Sequence, residues 1–222
     1  MSLSLQAHSL SLKIGTDLFI TITNQTCHYL LNSKHLQNEV YASLDGDAIL
    51  VIGCGATNIP EKFTTLRVSD FHSLLDTLTR LLQGKEFTQN VLNTLIIDNL
   101  LIFYWDLKVL NESNYHSFGF SSYVAAKILY LRLMDLIQSI RIKYRCNVLV
   151  CSFDVDFENG YKSSWRGRNS EGLDKYSYLP SGYLLKHDFL VHIGDEWEVF
   201  DKKWVRTEIL SLEESGNRSE VS

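Results

Sequence analysis

The sequence predicts an α/β domain: a mostly parallel β-sheet with helices on both faces and an antiparallel hairpin near the C-terminal end. Two observations support this prediction. Short segments that are apolar throughout alternate with longer segments whose apolar residues recur every three or four positions. Strands that are apolar throughout are typical of parallel sheets covered on both faces, and parallel neighbours need long connections, which are usually helical.

Length and composition fit one globular domain. The chain has 222 residues, of which 45% are hydrophobic and 21% charged, and its formal net charge is -5. We expect a single domain over residues 1–210 and a frayed tail over 211–222, because hydrophobicity falls after Leu212. No apolar run reaches about 18 residues, so no membrane span is predicted. Residues 1–10 lack the pattern of a secretory signal.

Runs of apolar, β-branched and aromatic residues locate the strands. These are predicted at Leu18–Thr23, Asp47–Gly53, Val91–Asp98 and Cys146–Phe153, followed by a hairpin of Asp188–Ile193 and Trp197–Val205. Gly194 and Asp195 provide the turn of that hairpin.

Helical spacing is clearest in two segments. Residues 69–84 begin with a capping residue, continue with one apolar face and end at Gly84, which favours the end of a helix. Ser121–Tyr144 is the longest predicted helix, and a short one is expected from Asn24 or Thr26 towards Val40. Strands and helices in this order indicate a sandwich of the RecA-like or Rossmann-like kind.

Folds of this kind bind ligands at the carboxyl ends of their strands, and here no phosphate-binding loop is found. Such a loop needs glycines followed by a lysine, because backbone N–H groups and the ammonium hold the phosphates. After Leu18–Thr23 the chain continues with Asn24 and Gln25, and its next lysine is Lys34. Lys85 follows a helix and cannot replace the missing lysine. We therefore predict a protein that is not an enzyme and uses no cofactor, with a residual ATPase as an alternative.

Asp98 ends an apolar strand, as does the aspartate that holds Mg²⁺ through water in nucleotide-binding proteins. We interpret it as a degenerate nucleotide motif. Without a phosphate loop, capping or hydrogen bonding at the strand end is the favoured role, and metal binding is the alternative. The carboxylate expected after the second strand is also missing, since Gly53, Cys54 and Gly55 stand there.

No metal site is predicted. The four cysteines lie in apolar surroundings without the spacing of a zinc site and are expected to be buried free thiols. The acidic string that begins at Asp154 resembles a calcium loop, but its glycine is misplaced and Trp165 stands where a glutamate is needed. His187 and His192 flank a strand and are expected to be ordinary core or surface residues.

The segment 161–178 is the strongest candidate for a binding site. Its cations and aromatic residues alternate: Lys162, Arg166, Arg168 and Lys175 with Tyr161, Trp165, Tyr176 and Tyr178. Cations that meet phosphates and rings that stack on bases are what sequence-tolerant binding of single-stranded nucleic acid requires. The alternative is a solvated surface loop, which Glu171 and Asp174 favour by diluting the charge.

With these residues in view, the chain resembles the eukaryotic paralogues of the RecA-type recombinase. Leu95–Leu100, with Phe103, Tyr104 and Trp105 behind it, is similar to the second nucleotide motif of that family. The nearest likeness is to the Psy-type subunits of the yeast Shu complex, which have also lost the phosphate loop. It covers roughly residues 91–200 and rests on the following residues: Phe157, Asn159, Gly160, Trp165, Arg166, Arg168, Leu179, Pro180, Tyr183 and Asp188.

The resemblance implies a RecA-like core that acts in homologous recombination in the nucleus. It implies a hetero-oligomer with another recombinase paralogue and a zinc-containing SWIM-domain protein, and an effect on the assembly of recombinase filaments. Single-stranded or forked DNA would bind the loop after the fourth core strand, through Lys162, Trp165, Arg166 and Arg168. Lys175 is added because of its charge. The net acidity departs from what strong autonomous DNA binding would require.

A pure protein–protein scaffold is the competing prediction. It would have the same fold but no DNA contact, and would use exposed apolar surface for its partners. Leu100–Trp105 is the segment predicted to form such an exposed patch, so poor behaviour of the isolated chain is expected.

Overall fold

A mixed sheet of eight strands dominates the computed structural model, which describes residues 9–13, 19–31, 38, 40–42, 44, 48–55, 58–87, 91–104, 107, 122–153, 179, 181–193, 196–201 and 206–211. A separate hairpin is formed by β1 (Ser9–Lys13) and β2 (Phe19–Thr23). The sheet contains β3 (Thr26–Leu31), β4 (Ile49–Cys54), β5 (Thr64–Val68), β6 (Thr94–Asp98), β7 (Asn147–Phe153), β8 (Phe189–Ile193), β9 (Glu196–Asp201) and β10 (Arg206–Ser211).

The strand order is β10-β9-β8-β3-β7-β6-β4-β5. The six strands from β8 to β5 are parallel to their neighbours, whereas β9 and β10 each add in the antiparallel direction. The predicted parallel sheet, its C-terminal antiparallel hairpin and the RecA-like core are confirmed.

Helices α1 (Phe71–Leu82), α2 (Ser122–Tyr144) and α3 (Ser181–Leu184) accompany a 3₁₀ turn at Leu100–Phe103. The first two confirm their predictions. α1 is capped by Asp70 in a capping box with Ser73, and Gly84 follows it in the left-handed conformation. The apolar face of α1 packs into the core as expected, because its leucines at 74, 75, 78 and 81 are all buried.

Two apolar cores cover the two faces of the sheet. One core contains side chains of α1, α2 and α3 and of alternate strand positions such as Ile52 and Val150. The other contains the remaining strand positions, Leu12 and Ile22 of the β1–β2 hairpin, and the helical residues Val40 and Tyr41. Because both faces are covered, β4 and β6 are buried along their whole length, which explains why they read as continuous apolar runs.

The N-terminal region corrects the prediction at two points. Leu18–Thr23 was expected to be a strand of the main sheet, but Phe19–Thr23 pairs only with β1. The short helix expected to begin at Asn24 or Thr26 is instead β3, a central strand between β7 and β8. Asn24 turns the chain between the two strands with a positive φ of 53°. Thr26, Cys27, His28 and Tyr29 are all buried, as a central strand requires.

Besides β1 and β3, two more strands were not predicted. β5 lies at one edge of the sheet and is only partly buried, so its residues lack the apolar run that marked the others. β10 lies at the other edge and ends at Ser211, the first residue of the predicted tail. Residues 212–222 of the predicted tail lie outside the described residues.

The four cysteines are free and buried, as predicted. Burial raises the pKa of each thiol, Cys146 to about 12, which keeps these groups protonated. Among the described residues no helix is long and apolar enough to span a membrane.

Candidate nucleic-acid interface

The predicted binding loop joins β7 to α3 at the carboxyl edge of the sheet. Its candidate residues Lys162, Trp165, Arg166, Arg168 and Lys175 lie outside the described residues, as does the acidic string that begins at Asp154. The two stems of the loop are described: β7 leads out to Phe153, and the chain returns through Leu179 and α3 into β8. Both β7 and β8 pair with β3, so the stems flank one central strand.

The returning stem is tied to the start of β3 by Asp188. One carboxylate oxygen of Asp188 accepts hydrogen bonds from the backbone N–H of Thr26 at 2.9 Å and from its hydroxyl at 3.0 Å. The backbone N–H of Asp188 in turn donates to the backbone carbonyl of Thr26 at 3.0 Å. The segment from Leu179 to Asp188 therefore anchors the returning stem, since Leu179 and Tyr183 are also buried.

A buried polar cluster lies between the stems. We define the loop clamp as His28 of β3, Ser152 of β7, Tyr183 of α3 and His187 of the turn before β8. Nε2 of His28 and Oγ of Ser152 share a hydrogen bond of 3.0 Å. The His28 ring meets the rings of His187 and Tyr183 edge-on, with centroids 5.0 and 5.7 Å apart. All four residues are at most 1% exposed.

Burial keeps both imidazoles neutral. It lowers the pKa of His28 well below its ordinary value, and the neighbouring His187 lowers it further. It lowers the pKa of His187 to about 3, although the carboxylate of Asp188 opposes the shift. Burial also raises the pKa of Tyr183. The loop clamp is therefore uncharged at neutral pH.

Part of the carboxyl edge of the sheet is apolar. We define the sealed edge as Gly55 after β4 together with Leu100, Ile102 and Phe103 of the 3₁₀ turn that follows β6. A methyl group on Gly55 would lie 2.6 Å from Cδ1 of Ile102, so this side chain rests directly on the glycine. Leu100 and Phe103 are at most 1% exposed. An ATPase of this architecture would carry a catalytic carboxylate after β4. In this chain that position is covered by apolar side chains.

Asp98 ends β6 and pairs with Gly53 of β4. Its side chain is fully buried, and its charge contributes to raising the pKa of Cys54 and of Cys151. Among the described residues no group of three His, Cys, Asp or Glu side chains is arranged to hold a metal ion. Asp98 thus lies inside the core among thiols, away from water.

The reassignment of the central strand also changes the place where a phosphate-binding loop would have to lie. The central strand is β3, so this loop would follow Leu31, and residues 32–37 contain Lys34 but no glycine. The glycine-rich sequence that was missing after Thr23 is therefore missing at this position too.

The expected exposed patch at Leu100–Trp105 is wrong for most of its length. Leu100, Leu101 and Phe103 are buried, and Ile102 is the exposed member at 43%. The 3₁₀ turn directs most of these side chains into the core beside α1. There Phe103 packs edge-on against Phe71. Trp105 lies outside the described residues.

A family model described as Shu complex component Psy3, DNA-binding description, matches residues 67–196. The match spans more than half of the chain and includes β7, the loop and the returning stem. The chain belongs to the Psy3 family. The resemblance drawn from the sequence is thereby confirmed, and no curated protein matches the chain significantly.

In this Psy3-family chain the sequence prediction located the loop but missed the residues that hold it. Nothing in the sequence pointed to His28 and Ser152 as a pair, because seven histidines are scattered along the chain and these two residues are far apart in sequence. Tyr183 and Asp188 were recognised as family positions without a role, and the structure places them in the stem. His187 was expected to be a core or surface residue, and it is in the core.

Proposed function

We propose that this Psy3-family chain is a non-catalytic subunit that binds single-stranded or forked DNA through the loop 161–178. The observation that carries the proposal is the position of the loop: its stems are built into the centre of the sheet within the matched region. Four cations interleaved with aromatic residues suit phosphate contacts and base stacking.

Membership of a Shu complex family supports our proposal for the partners and the setting. The subunit works in a hetero-oligomer with another recombinase paralogue and a SWIM-domain protein, and it acts on the recombinase itself. In the nucleus this complex promotes assembly of the recombinase filament during homologous recombination repair. A hetero-oligomer also accounts for DNA binding by a chain with a net charge of -5, because a partner contributes further cations.

The lack of catalysis is supported by the same edge of the sheet. The position after β3 has no glycine for phosphates, and Ile102 covers Gly55 where a catalytic carboxylate was expected. Asp98 is fully buried, whereas an aspartate that holds Mg²⁺ through water needs solvated surroundings. A turnover of ATP that Asp98→Ala abolishes would contradict this part of the proposal.

The test is the salt dependence of binding to labelled single-stranded DNA by the co-purified complex. One complex carries wild-type chain, and the other carries Lys162, Arg166 and Arg168 changed to glutamate. Each phosphate contact on a single strand contributes about 0.7 to the slope of log affinity against log salt. Losing three contacts should therefore flatten the slope by about 2 units and weaken binding strongly.

A matched control changes three exposed cations outside the loop to glutamate: Arg67, Lys85 and Arg132. This variant has the same net charge as the loop variant, so a general charge effect would weaken both equally. We expect the control to keep the wild-type slope. If the loop variant also binds like the wild type, the loop is ordinary surface and the chain is a scaffold subunit.

A further inference from the structure

The two stems of the loop meet on β3, outside the region that the family model matches. His28 lies in the middle of β3, with Val150 of β7 and Leu190 of β8 as its partners in register. Its side chain reaches past Val150 to Ser152, one residue before the end of β7. On the returning side it contacts Tyr183 and His187. One side chain thus touches both stems.

The chemistry of His28 is unusual for its position. Both partners in register are apolar, and a central parallel strand normally places aliphatic side chains at such positions. Nδ1 of His28 and both ring nitrogens of His187 have no hydrogen-bond partner among the described residues. Burying polar atoms without partners costs stability, so an aliphatic residue would serve packing better. The hydrogen bond to Ser152 is the specific interaction that an imidazole provides here.

We propose that His28 is a positioning residue for the DNA-binding loop: by joining Ser152 on the outgoing strand to Tyr183 on the returning helix, it holds the two stems in the arrangement that binds single-stranded DNA. This inference rests on the proposed function of the loop. Stems that are fixed before binding lose less conformational entropy when DNA binds. His28 therefore acts on DNA affinity without touching DNA.

The test compares two substitutions of equal charge and similar polarity. His28→Gln places an amide near the position of the imidazole Nε2, within reach of Ser152. His28→Asn places its amide nearer the position of Nδ1, short of Ser152. Ser152→Ala removes the hydrogen bond from the other side with a minimal change in volume. Binding to labelled single-stranded DNA is measured with each co-purified complex over a range of salt concentrations, well below its melting temperature.

We expect His28→Asn and Ser152→Ala to weaken DNA binding about tenfold. This is the effect expected if DNA binding has to order roughly one more residue. The salt slope should stay at its wild-type value, because the cations of the loop are intact. His28→Gln should retain wild-type affinity. A purely structural role would lower the melting temperature of these variants without this pattern of loss and rescue in affinity.

Two results would overturn the proposal. If all three variants bind like the wild type, the loop clamp is only part of the core. If His28→Gln binds as weakly as His28→Asn, packing matters and the hydrogen bond does not. Should a histidine variant fail to fold, Ser152→Ala alone tests the proposal. Its second readout is hydrogen exchange in residues 154–178 of the DNA-free complex. Faster exchange than in the wild type supports the proposal, and unchanged exchange opposes it.

The loop variant with Lys162, Arg166 and Arg168 changed to glutamate is measured in the same series. If it binds like the wild type, the proposed DNA-binding role of the loop fails. If it loses affinity while Ser152→Ala does not, that role stands and only the positioning role of His28 fails.

Discussion

The sealed edge lies at the carboxyl edge of the sheet, whereas the loop clamp lies where β7, β3 and α3 meet and extends to the turn before β8, and the two regions differ in chemistry. At the sealed edge, Ile102 rests on Gly55 and Phe103 is buried. At the loop clamp, imidazole and hydroxyl groups are buried instead. Ring contacts connect the two regions through Phe71, Tyr130 and Tyr183. Apolar side chains cover the place where an ATPase would carry its carboxylate, whereas buried polar groups lie between the stems of the loop.

The largest effect is expected at the sealed edge. Phe103→Ala should lower the free energy of unfolding by about 3–5 kcal/mol, because it removes a buried aromatic side chain from a packed core. Urea denaturation followed by tryptophan fluorescence measures the loss. DNA binding by the complex that remains folded should keep its salt slope. A changed slope would mean that this region takes part in DNA binding and that the two regions are not separate.

The second-largest effect is expected when acid lowers the free energy of unfolding through the loop clamp. The pKa of His187 is lowered from 6.5 to about 3 and that of His28 is lowered as well, so the unfolded chain binds these protons more readily than the folded one. Their stabilisation is complete above pH 6.5 and is lost as pH falls towards 3. Each group then costs about 1.4 kcal/mol per pH unit. Denaturation at pH 7.5 and 5.5 measures this loss.

His187→Gln is the matched variant for the acid experiment. It removes one of the two buried titrating groups, so it should roughly halve the part of the pH dependence that comes from the loop clamp. A variant with the full wild-type dependence would show that other groups cause the acid sensitivity.

Gly55→Ala should have a smaller effect. Gly55 has a φ of +71°, which costs a residue with a side chain about 1–2 kcal/mol. The new methyl would also lie 2.6 Å from Cδ1 of Ile102, so the end of this partly exposed side chain would have to shift. Gly84→Ala is the control, because its φ is +77° but its methyl would be 3.7 Å from the nearest atom, Nζ of Lys143. The excess loss of stability in Gly55→Ala should disappear when Ile102 is also changed to alanine. An equal loss at both glycines would mean that the contact with Ile102 is not tight.

The smallest effect is expected for Tyr183→Phe. The hydroxyl of Tyr183 is buried and has no hydrogen-bond partner among the described residues, so its removal should change the free energy of unfolding by less than about 0.5 kcal/mol or increase it slightly. Thermal melting of the complex measures the change. A loss above about 1 kcal/mol would reveal a partner for the hydroxyl and extend the polar network of the loop clamp.

The sequence predicted best those elements whose burial is uniform. β4, β6 and β7 read as apolar runs because both faces are covered, and α1 and α2 have clear helical spacing. β3 was missed because His28 and Thr26 interrupt its apolar pattern, and β5 because an exposed edge strand has none.

The candidate site was predictable only in part, for a physical reason. The charge and ring pattern of the loop is local in sequence and could be read directly. The loop clamp depends on a bond between residues 124 positions apart, which only the pairing of β3 with β7 creates. The sealed edge was misjudged because a 3₁₀ turn buries an apolar segment that sequence alone presents as a patch.

Hydrogen exchange of the co-purified complex with and without single-stranded DNA tests the central claim most directly. The account predicts that DNA slows exchange in residues 154–178 and in the adjoining stems, whereas residues 98–104 of the β6 end exchange at the same rate in both states. Unchanged exchange in the loop, with protection at residues 98–104 instead, would contradict it.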